Sequence, residues 1–367
     1  MLYTGGTTGM PKGVMWRQDD LYVRFSQSVM HDPEQVDLAA VRARIEAAAP
    51  LVGLPACPLM HGTGAFTSFQ TMFMGGAVVT LTSRHFDITE LLDTIERDRV
   101  NTLAIVGDAF ARPMLAALDE FPEHWDISSL LMIVSSGVMW SEPVKQGLLR
   151  HHPGMLLVDA FSSSEALGMG QSVSSAGGAA KTAKFMLGEH ARVFTDDGRD
   201  VQPGSGEMGR VAVRGRCPVG YYKDPEKSAR TFPVIDGERY SVPGDYATVE
   251  ADGSLRLLGR GSVCINTAGE KVYPEEVEEV LKEHDAVRDA VVVGVPDERF
   301  GEVIVAWVEP ASSGAVDEAD VIAHVKGRLA GYKAPRRVLV TDTIGRSPAG
   351  KVDYSRLRKE AAQRIGA

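Results

Sequence analysis

The chain is poor in several features, and each shortage closes off a class of function. It holds three cysteines in 367 residues, Cys57, Cys217 and Cys264, far apart and odd in number. They form neither a zinc-binding spacing nor a disulfide framework, which points to a reducing, cytoplasmic setting. No apolar run approaches the roughly 18 residues that span a bilayer, so peripheral contact is the most that a membrane is expected to offer. Residues 1–13 lack the charged start and apolar stretch of a secretory signal. No internal repeat of about 20–50 residues recurs. Basic residues are the minority: 39 Lys and Arg against 49 Asp and Glu give a formal net charge of −10. That balance argues against a dedicated nucleic-acid binder. No convincing Ser-His or Cys-His arrangement for a covalent nucleophile stands out either.

What is present suffices for more than one domain. Hydrophobic residues make up 44% of the chain and charged residues 24%, an ordinary globular balance. Residues 78–81, 102–106, 130–134 and 155–158 are continuous apolar runs of the kind that buried parallel strands show. Helix-period segments at 87–98 and 108–120 lie between them, and Asp87 suits an N-cap. Alternation of this kind predicts an α/β region. From about residue 185 the texture becomes that of a β-rich subdomain, with strands at 190–194, 208–214, 246–250 and 254–258. Asp252-Gly253 between two of them is a hairpin signal. A third texture begins near 261. It predicts a helix over 274–283, strands at 290–295 and 302–309, a helix at 317–330, a strand at 337–341 and a last helix at 353–363. The boundary falls near Arg260-Gly261-Ser262, giving domains 1–260 and 261–367.

Residues 3–13 read Tyr-Thr-Gly-Gly-Thr-Thr-Gly-Met-Pro-Lys-Gly. Gly5, Gly6, Gly9 and Gly13 let a backbone approach a ligand closely. Thr4, Thr7, Thr8 and Lys12 supply donors for phosphate oxygens. This is not a Walker loop, because Lys12 follows Pro11 and precedes Gly13. A flexible glycine loop is the plain alternative. Residues 159–165, Asp-Ala-Phe-Ser-Ser-Ser-Glu, read alone as a polar loop or helix cap after a strand. Gly244-Asp245 and Gly259-Arg260 flank the hairpin and read alone as a surface charge pair. Residues 345–353, Gly-Arg-Ser-Pro-Ala-Gly-Lys-Val-Asp, place Lys351 in a loop where a lysine is ordinarily a solvated charge. His61, in Pro58-Leu59-Met60-His61-Gly62, reads equally as a structural histidine or a pocket residue. Ser135-Ser136-Gly137-Val138 is a small-residue strand end, with Trp140 nearby as core or pocket wall.

In order and at matching distances, these segments resemble the adenylate-forming superfamily of acyl- and aryl-CoA synthetases, peptide-synthetase adenylation domains and luciferases. The string 3–13 is similar to its phosphate loop, with Gly5 where Ser is commoner. The resemblance implies that Thr4, Gly5, Gly6, Thr7, Thr8, Gly9 and Lys12 bind nucleotide phosphates, with Thr8 and Lys12 acting in catalysis. It implies that Phe161 stacks on adenine, Asp159 meets the adenine amino group, Ser164 touches the α-phosphate and Glu165 binds magnesium. The family usually has Tyr, Gly and Thr where this chain has Phe161, Ser162 and Ser164. Asp245 would hold the ribose hydroxyls with Arg260 beside it. Ser262 would be the hinge, where Asp or Lys is usual. The loop at Gly269 would line the CoA tunnel. His61, Ser136 and Gly137 would border the acyl pocket. Lys351 would contact the substrate carboxylate and the α-phosphate region.

The fold this implies is α/β: a large N-terminal domain of layered α/β sheets with a β-rich subdomain, plus a small mobile α+β C-terminal domain. The function it implies is an ATP-dependent acyl-CoA synthetase using ATP, Mg²⁺ and CoA. Met15-Trp16, Trp140 and the string 259–278 are similar to actinobacterial enzymes acting on fatty or sterol side-chain acids. A non-catalytic remnant and an acyl-AMP ligase loading a carrier protein are the competing readings. Family members carry a large segment before the phosphate loop. The chain is therefore expected to be truncated at its N-terminus and poorly soluble or inactive alone. An internally assigned start, a truncated gene and a separate N-terminal chain are the alternatives for the missing part, and a homo-oligomer is left open.

Overall fold

The computed structural model describes residues 1–4, 11–26, 38–138, 140–311, 316–347 and 350–366. Their strands form three sheets. The apolar runs supply a parallel block in which Ala77–Val78, Val52–Pro55, Thr102–Ile105, Met132–Ser135 and Leu156–Phe161 lie side by side in that order. Helices Ile88–Asp98, Asp108–Glu120 and Glu142–His151 alternate with these strands along the chain. Their apolar faces and the strands share one buried core that includes Leu92, Ile95, Leu103, Met114, Ile133 and Leu148. Asp87 caps the first of these helices, accepting from the backbone N–H of Thr89 and Glu90 at 2.9 and 3.2 Å, as the sequence predicts. Trp140 is fully buried in this same core rather than on a pocket wall.

The run 78–81 becomes a shorter strand than its apolar character predicts. Val79 still donates to the Gly53 carbonyl at 2.9 Å. Beyond it, the Glu90 carboxylate takes the backbone N–H of Thr82 and Ser83, so the chain bonds to a side chain instead of a neighbouring strand.

Leu156–Phe161 is the last parallel strand. Its other edge pairs antiparallel with Gly170–Ser174. From there the sheet continues antiparallel through Lys184–Leu187, Ser254–Arg260, Asp245–Val249 and Met208–Arg214. The Asp252-Gly253 hairpin forms, with Gly253 at φ +78° where only a residue without Cβ sits easily. One sheet thus changes from helix-covered parallel to hairpin-built antiparallel at a single strand.

The long pair Val287–Asp297 and Gly301–Pro310 forms the spine of a five-stranded sheet. Helices Pro274–Lys282 and Glu318–Lys326 bury Val277, Leu281 and Val321 against Val292 and Ile304. Helix Tyr354–Ile365 buries Leu357 and Ala361 in a second core with Val291, Val305 and Trp307. With both faces covered, Val291-Val292-Val293 reads as an unbroken apolar run. Leu2–Thr4, Lys12–Met15 and Gly220–Tyr221 make the third sheet. Among the described residues, no helix is long and apolar enough to cross a membrane.

Candidate active site

The site is assembled around the carboxyl end of Leu156–Phe161, where the sheet changes character and where α/β sheets commonly bind ligands. Residues 162–165 follow that strand directly. Leu2–Thr4 and Lys12–Met15, the strands that flank the glycine-rich segment in sequence, pair antiparallel with Thr4 opposite Lys12. Gly5, Gly6, Thr7, Thr8 and Gly9, between the two strands, lie outside the described residues. Met15 pairs with Gly220 and Val14 with Tyr221. Trp16, next in the chain, donates its indole N–H to the Ser164 carbonyl at 2.9 Å. The hairpin and the strand-end loop are thereby fixed to each other. Trp16→Phe removes that donor from a partly buried acceptor. It is expected to cost about 1 kcal/mol in chemical denaturation.

Glu165 is the centre of the cluster. Its Oε1 accepts from the Tyr221 hydroxyl at 2.8 Å, and its backbone carbonyl accepts from the Ser241 hydroxyl at 2.7 Å. Burial, with Glu165 beside it, pushes the Tyr221 phenol up, so Tyr221 stays a donor. The Lys227 ammonium lies 5.2 Å from the Tyr221 ring centroid. Burial and the neighbouring Lys12 lower its pKa, while Glu165 opposes the shift. Two lysines held together beside one carboxylate form a cationic platform suited to a polyanion.

Lys351 reaches the same place from the far end of the sequence. The Ser347 hydroxyl accepts from the Lys351 backbone N–H at 3.1 Å. A Cβ on Gly350 would lie 3.3 Å from Val106 and 3.4 Å from Val138, so this loop is seated on the parallel block. Partial desolvation and then Arg260 lower the Lys351 pKa, and Glu165 pulls it back. Burial, and then the Lys351 charge, hold His61 down at about 4, so His61 is neutral at physiological pH. His61 caps helix Gly62–Phe73 through Nδ1, which accepts from the Thr63 N–H at 3.2 Å. The Thr63 hydroxyl donates to the Ser136 carbonyl at 3.1 Å. A Cβ on Gly137, at φ +98°, would lie 3.2 Å from the His61 ring. A Cβ on Gly62 would lie 3.2 Å from the Ser164 hydroxyl. His61, Ser136, Gly137 and Ser164 therefore border one another.

Asp159 and Phe161 sit on the strand itself, 4% and 8% exposed. The Phe161 ring packs on Phe185, centroids 5.4 Å apart. Asp245 and Arg260 face each other across their strand pair, and Arg260 Nε donates to Asp245 Oδ1 at 3.3 Å. Burial raises the Asp245 pKa, and its Oδ2 has no hydrogen-bond partner. An orphaned, inward-held carboxylate oxygen beside a guanidinium is suited to a ligand hydroxyl. Glu275 abuts the same strand: its Oε1 accepts from the Arg260 N–H at 3.4 Å, and burial raises its pKa to about 8. Ser262 lies in the short 3-10 turn Gly261–Val263. Gly269 forms a hairpin tip at φ +85°, and among the described residues nothing lies within 4 Å of a Cβ placed there.

Residues 1–222 match the AMP-binding enzyme family, and residues 276–351 match the AMP-binding enzyme C-terminal domain. The chain belongs to the AMP-binding enzyme family. Among curated AMP-binding enzymes, it is 44% identical over 361 residues to the medium/long-chain-fatty-acid–CoA/3-oxocholest-4-en-26-oate–CoA ligase of Mycolicibacterium smegmatis. It is 44% identical over 364 residues to the 3-oxocholest-4-en-26-oate–CoA ligase of Rhodococcus rhodochrous. In both cases the match covers 96% of this chain and 65% of the relative's length. Among solved structures, ATP-bound MatB from Rhodopseudomonas palustris superposes with a TM-score of 0.79 at 25% identity, covering all of this chain and 68% of that one. The layered sheets with a smaller C-terminal sheet are thus the architecture of adenylate-forming AMP-binding enzymes.

Trp16, Tyr221, Lys227 and Glu275 were not singled out as site residues by sequence reasoning. The indole of Trp16 bonds to a residue 148 positions away, a pairing that no local spacing encodes.

Proposed function

We propose that this chain carries the adenylating machinery of an AMP-forming acyl-CoA synthetase. The observation that supports it best is the convergence of Lys351 with Glu165, His61 and Arg260, drawn from opposite ends of the sequence. A carboxylate is a poor electrophile, being anionic and resonance-stabilised. Joining it to the α-phosphorus of ATP, with loss of pyrophosphate, gives an acyl-adenylate that a thiol can attack. The obstacle is bringing two anions together, and fixed cations and donors lower it. Lys351 and Lys12 would neutralise the carboxylate and phosphates. Thr4, Thr7, Thr8 and Ser164 supply hydroxyl donors. Asp245 and Arg260 hold the ribose, Phe161 and Asp159 the adenine. Neutral His61, with Ser136 and Gly137, walls the acid without adding a charge.

Among the described residues, no three His, Cys, Asp or Glu side chains converge as a metal cage. Glu165 offers a single carboxylate with one oxygen left beside the Tyr221 bond. That donor set fits a magnesium ion shared with substrate phosphates. Glu165 would hold it, and the ion would offset phosphate charge.

Residues 1–260 act as the adenylation domain and 261–367 as the C-terminal domain, with Ser262 as their hinge. The Gly269 hairpin, whose tip is open, is the element that rotation would bring in for CoA. The acid is a fatty or sterol side-chain carboxylate, a reading supported by the two ligases above. The test supplies ATP, Mg²⁺, CoA and a panel of such acids to the chain and to a version extended at its N-terminus, and measures pyrophosphate and thioester. Acid-dependent pyrophosphate release followed by CoA-dependent thioester from the extended version is the expected result. An extended version that releases no pyrophosphate with any acid of the panel, or that forms thioester only on a carrier protein, would overturn it.

A further inference from the structure

We propose that Lys145, which has no part in the chemistry above, is the positioning residue that decides which purine the site accepts. The inference rests on the reading of Asp159 as the contact to the base.

Lys145 lies on helix Glu142–His151 and is fully buried. Its Nζ is 3.8 Å from Asp159 Oδ2 and 5.9 Å from the centroid of the Trp140 ring. Among the described residues that ammonium has no hydrogen-bond partner, and neither do the neighbouring Trp140 Nε1 and Ser141 Oγ. A structural ion pair closes to about 2.7–2.9 Å, and this one does not. Burying an ammonium costs several kcal/mol, whereas an apolar side chain of the same length would fill the space at no such cost. The chain nevertheless keeps a lysine here: burial lowers its pKa, and Asp159, the carboxylate it faces, opposes that shift.

The other groups around the pair are mostly acidic. Asp108 and Glu279 act on Asp159, and Asp108, Glu142 and Glu279 act on Lys145. Arg112 is occupied with Asp108 at 2.9 Å. Lys145 is the cation set against this acidic ring and favours the ionised form of Asp159. Burial alone drives Asp159 the other way, and the balance leaves its pKa raised to about 7.

The ionisation state has a direct chemical meaning. A carboxylate only accepts hydrogen bonds, whereas a carboxylic acid also donates. The 6-amino group of adenine donates, and the 6-oxo group of hypoxanthine accepts. Ionised Asp159 therefore selects adenine and repels a 6-oxopurine. Protonated Asp159 can serve either. Lys145 acts through Asp159 and sets the discrimination at one remove.

The experiment is equilibrium dialysis of the full chain with Mg-ATP and Mg-ITP between pH 6.5 and 9. The chains compared are wild type, Lys145→Met, Asp159→Asn and the double variant. The wild type should prefer ATP and lose the preference as pH falls through about 7. Lys145→Met should lower the preference about tenfold at pH 8, the scale of one hydrogen bond, and recover it only at higher pH. Asp159→Asn should abolish the pH dependence, and adding Lys145→Met should change nothing further. If Lys145→Met alone does not fold, the two Asp159→Asn chains decide, because any further change in preference between them overturns the inference. So does a Lys145→Met chain with the wild-type profile, or a wild type without preference. A chain that prefers ATP in this manner, with an extended version that releases no pyrophosphate, sinks the ligase reading and leaves the role of Lys145 standing.

Discussion

Lys351→Ala is expected to slow acyl-adenylate formation by about 10²–10³-fold, the range seen when one preorganised electrostatic contact is lost. Thioester formation from preformed acyl-adenylate and CoA should stay within about threefold, because charge neutralisation between two anions is needed in the first half-reaction alone. Two observations lead to this separation. The Lys351 loop is seated on Val106 and Val138, so its charge is placed by packing. Its electrostatic partners, Glu165, Arg260 and His61, come from three separate elements of the cluster. Pyrophosphate exchange measures the first half-reaction and thiol consumption with synthetic adenylate measures the second. Equal losses in both assays would show that Lys351 serves the fold and not the chemistry.

The second large effect lies away from the cluster. Trp307→Ala is expected to cost about 3–5 kcal/mol in denaturant unfolding, as large aromatic truncations in a core do. Trp307 is 2% exposed, and its indole N–H donates to the Leu357 carbonyl at 3.1 Å. It holds helix Tyr354–Ile365 on the five-stranded sheet. Residues 345–353 run directly into that helix, where Asp353 caps by accepting from the Arg356 N–H at 3.0 Å. Loosening the helix loosens the tether of Lys351. Adenylation should therefore fall together with stability, whereas Trp307→Phe should recover most of both. A Trp307→Ala chain with wild-type midpoint and activity would contradict this coupling.

Much of this arrangement was legible before any coordinates. Continuous apolar runs marked strands buried on two faces, and Asp87 and Asp252-Gly253 marked a cap and a hairpin that form where expected. The segments at 159–165, 244–260 and 345–353 read alone as a polar loop, a surface charge pair and a solvated lysine, and became legible only through their resemblance, in order and distance, to one family. The illegible contributions have a common physical cause. Tyr221 matters through a hydroxyl aimed at Glu165, 56 positions earlier, and that direction exists only once Gly220–Tyr221 has joined the Lys12–Met15 strand. Lys145 looks like a solvated charge on a helix, and its complete burial follows from how that helix lies on the sheet. Glu275 reads as one more acid in a helix's first turn, yet folding places it against a glycine-bearing strand where a Cβ on Gly259 would clash at 2.1 Å.

The strand Leu156–Phe161 has parallel neighbours on one edge and antiparallel neighbours on the other. The two halves it joins differ in sequence locality, since one is built from helical crossovers and the other from hairpins. Halves of that kind tend to open as separate cooperative units. On the proposed function, a nucleotide gripped at this strand's end would rest on both at once. Local opening of either half must then release the ligand. Its binding energy is thus shared as protection across the seam, so occupancy makes the two halves unfold as one.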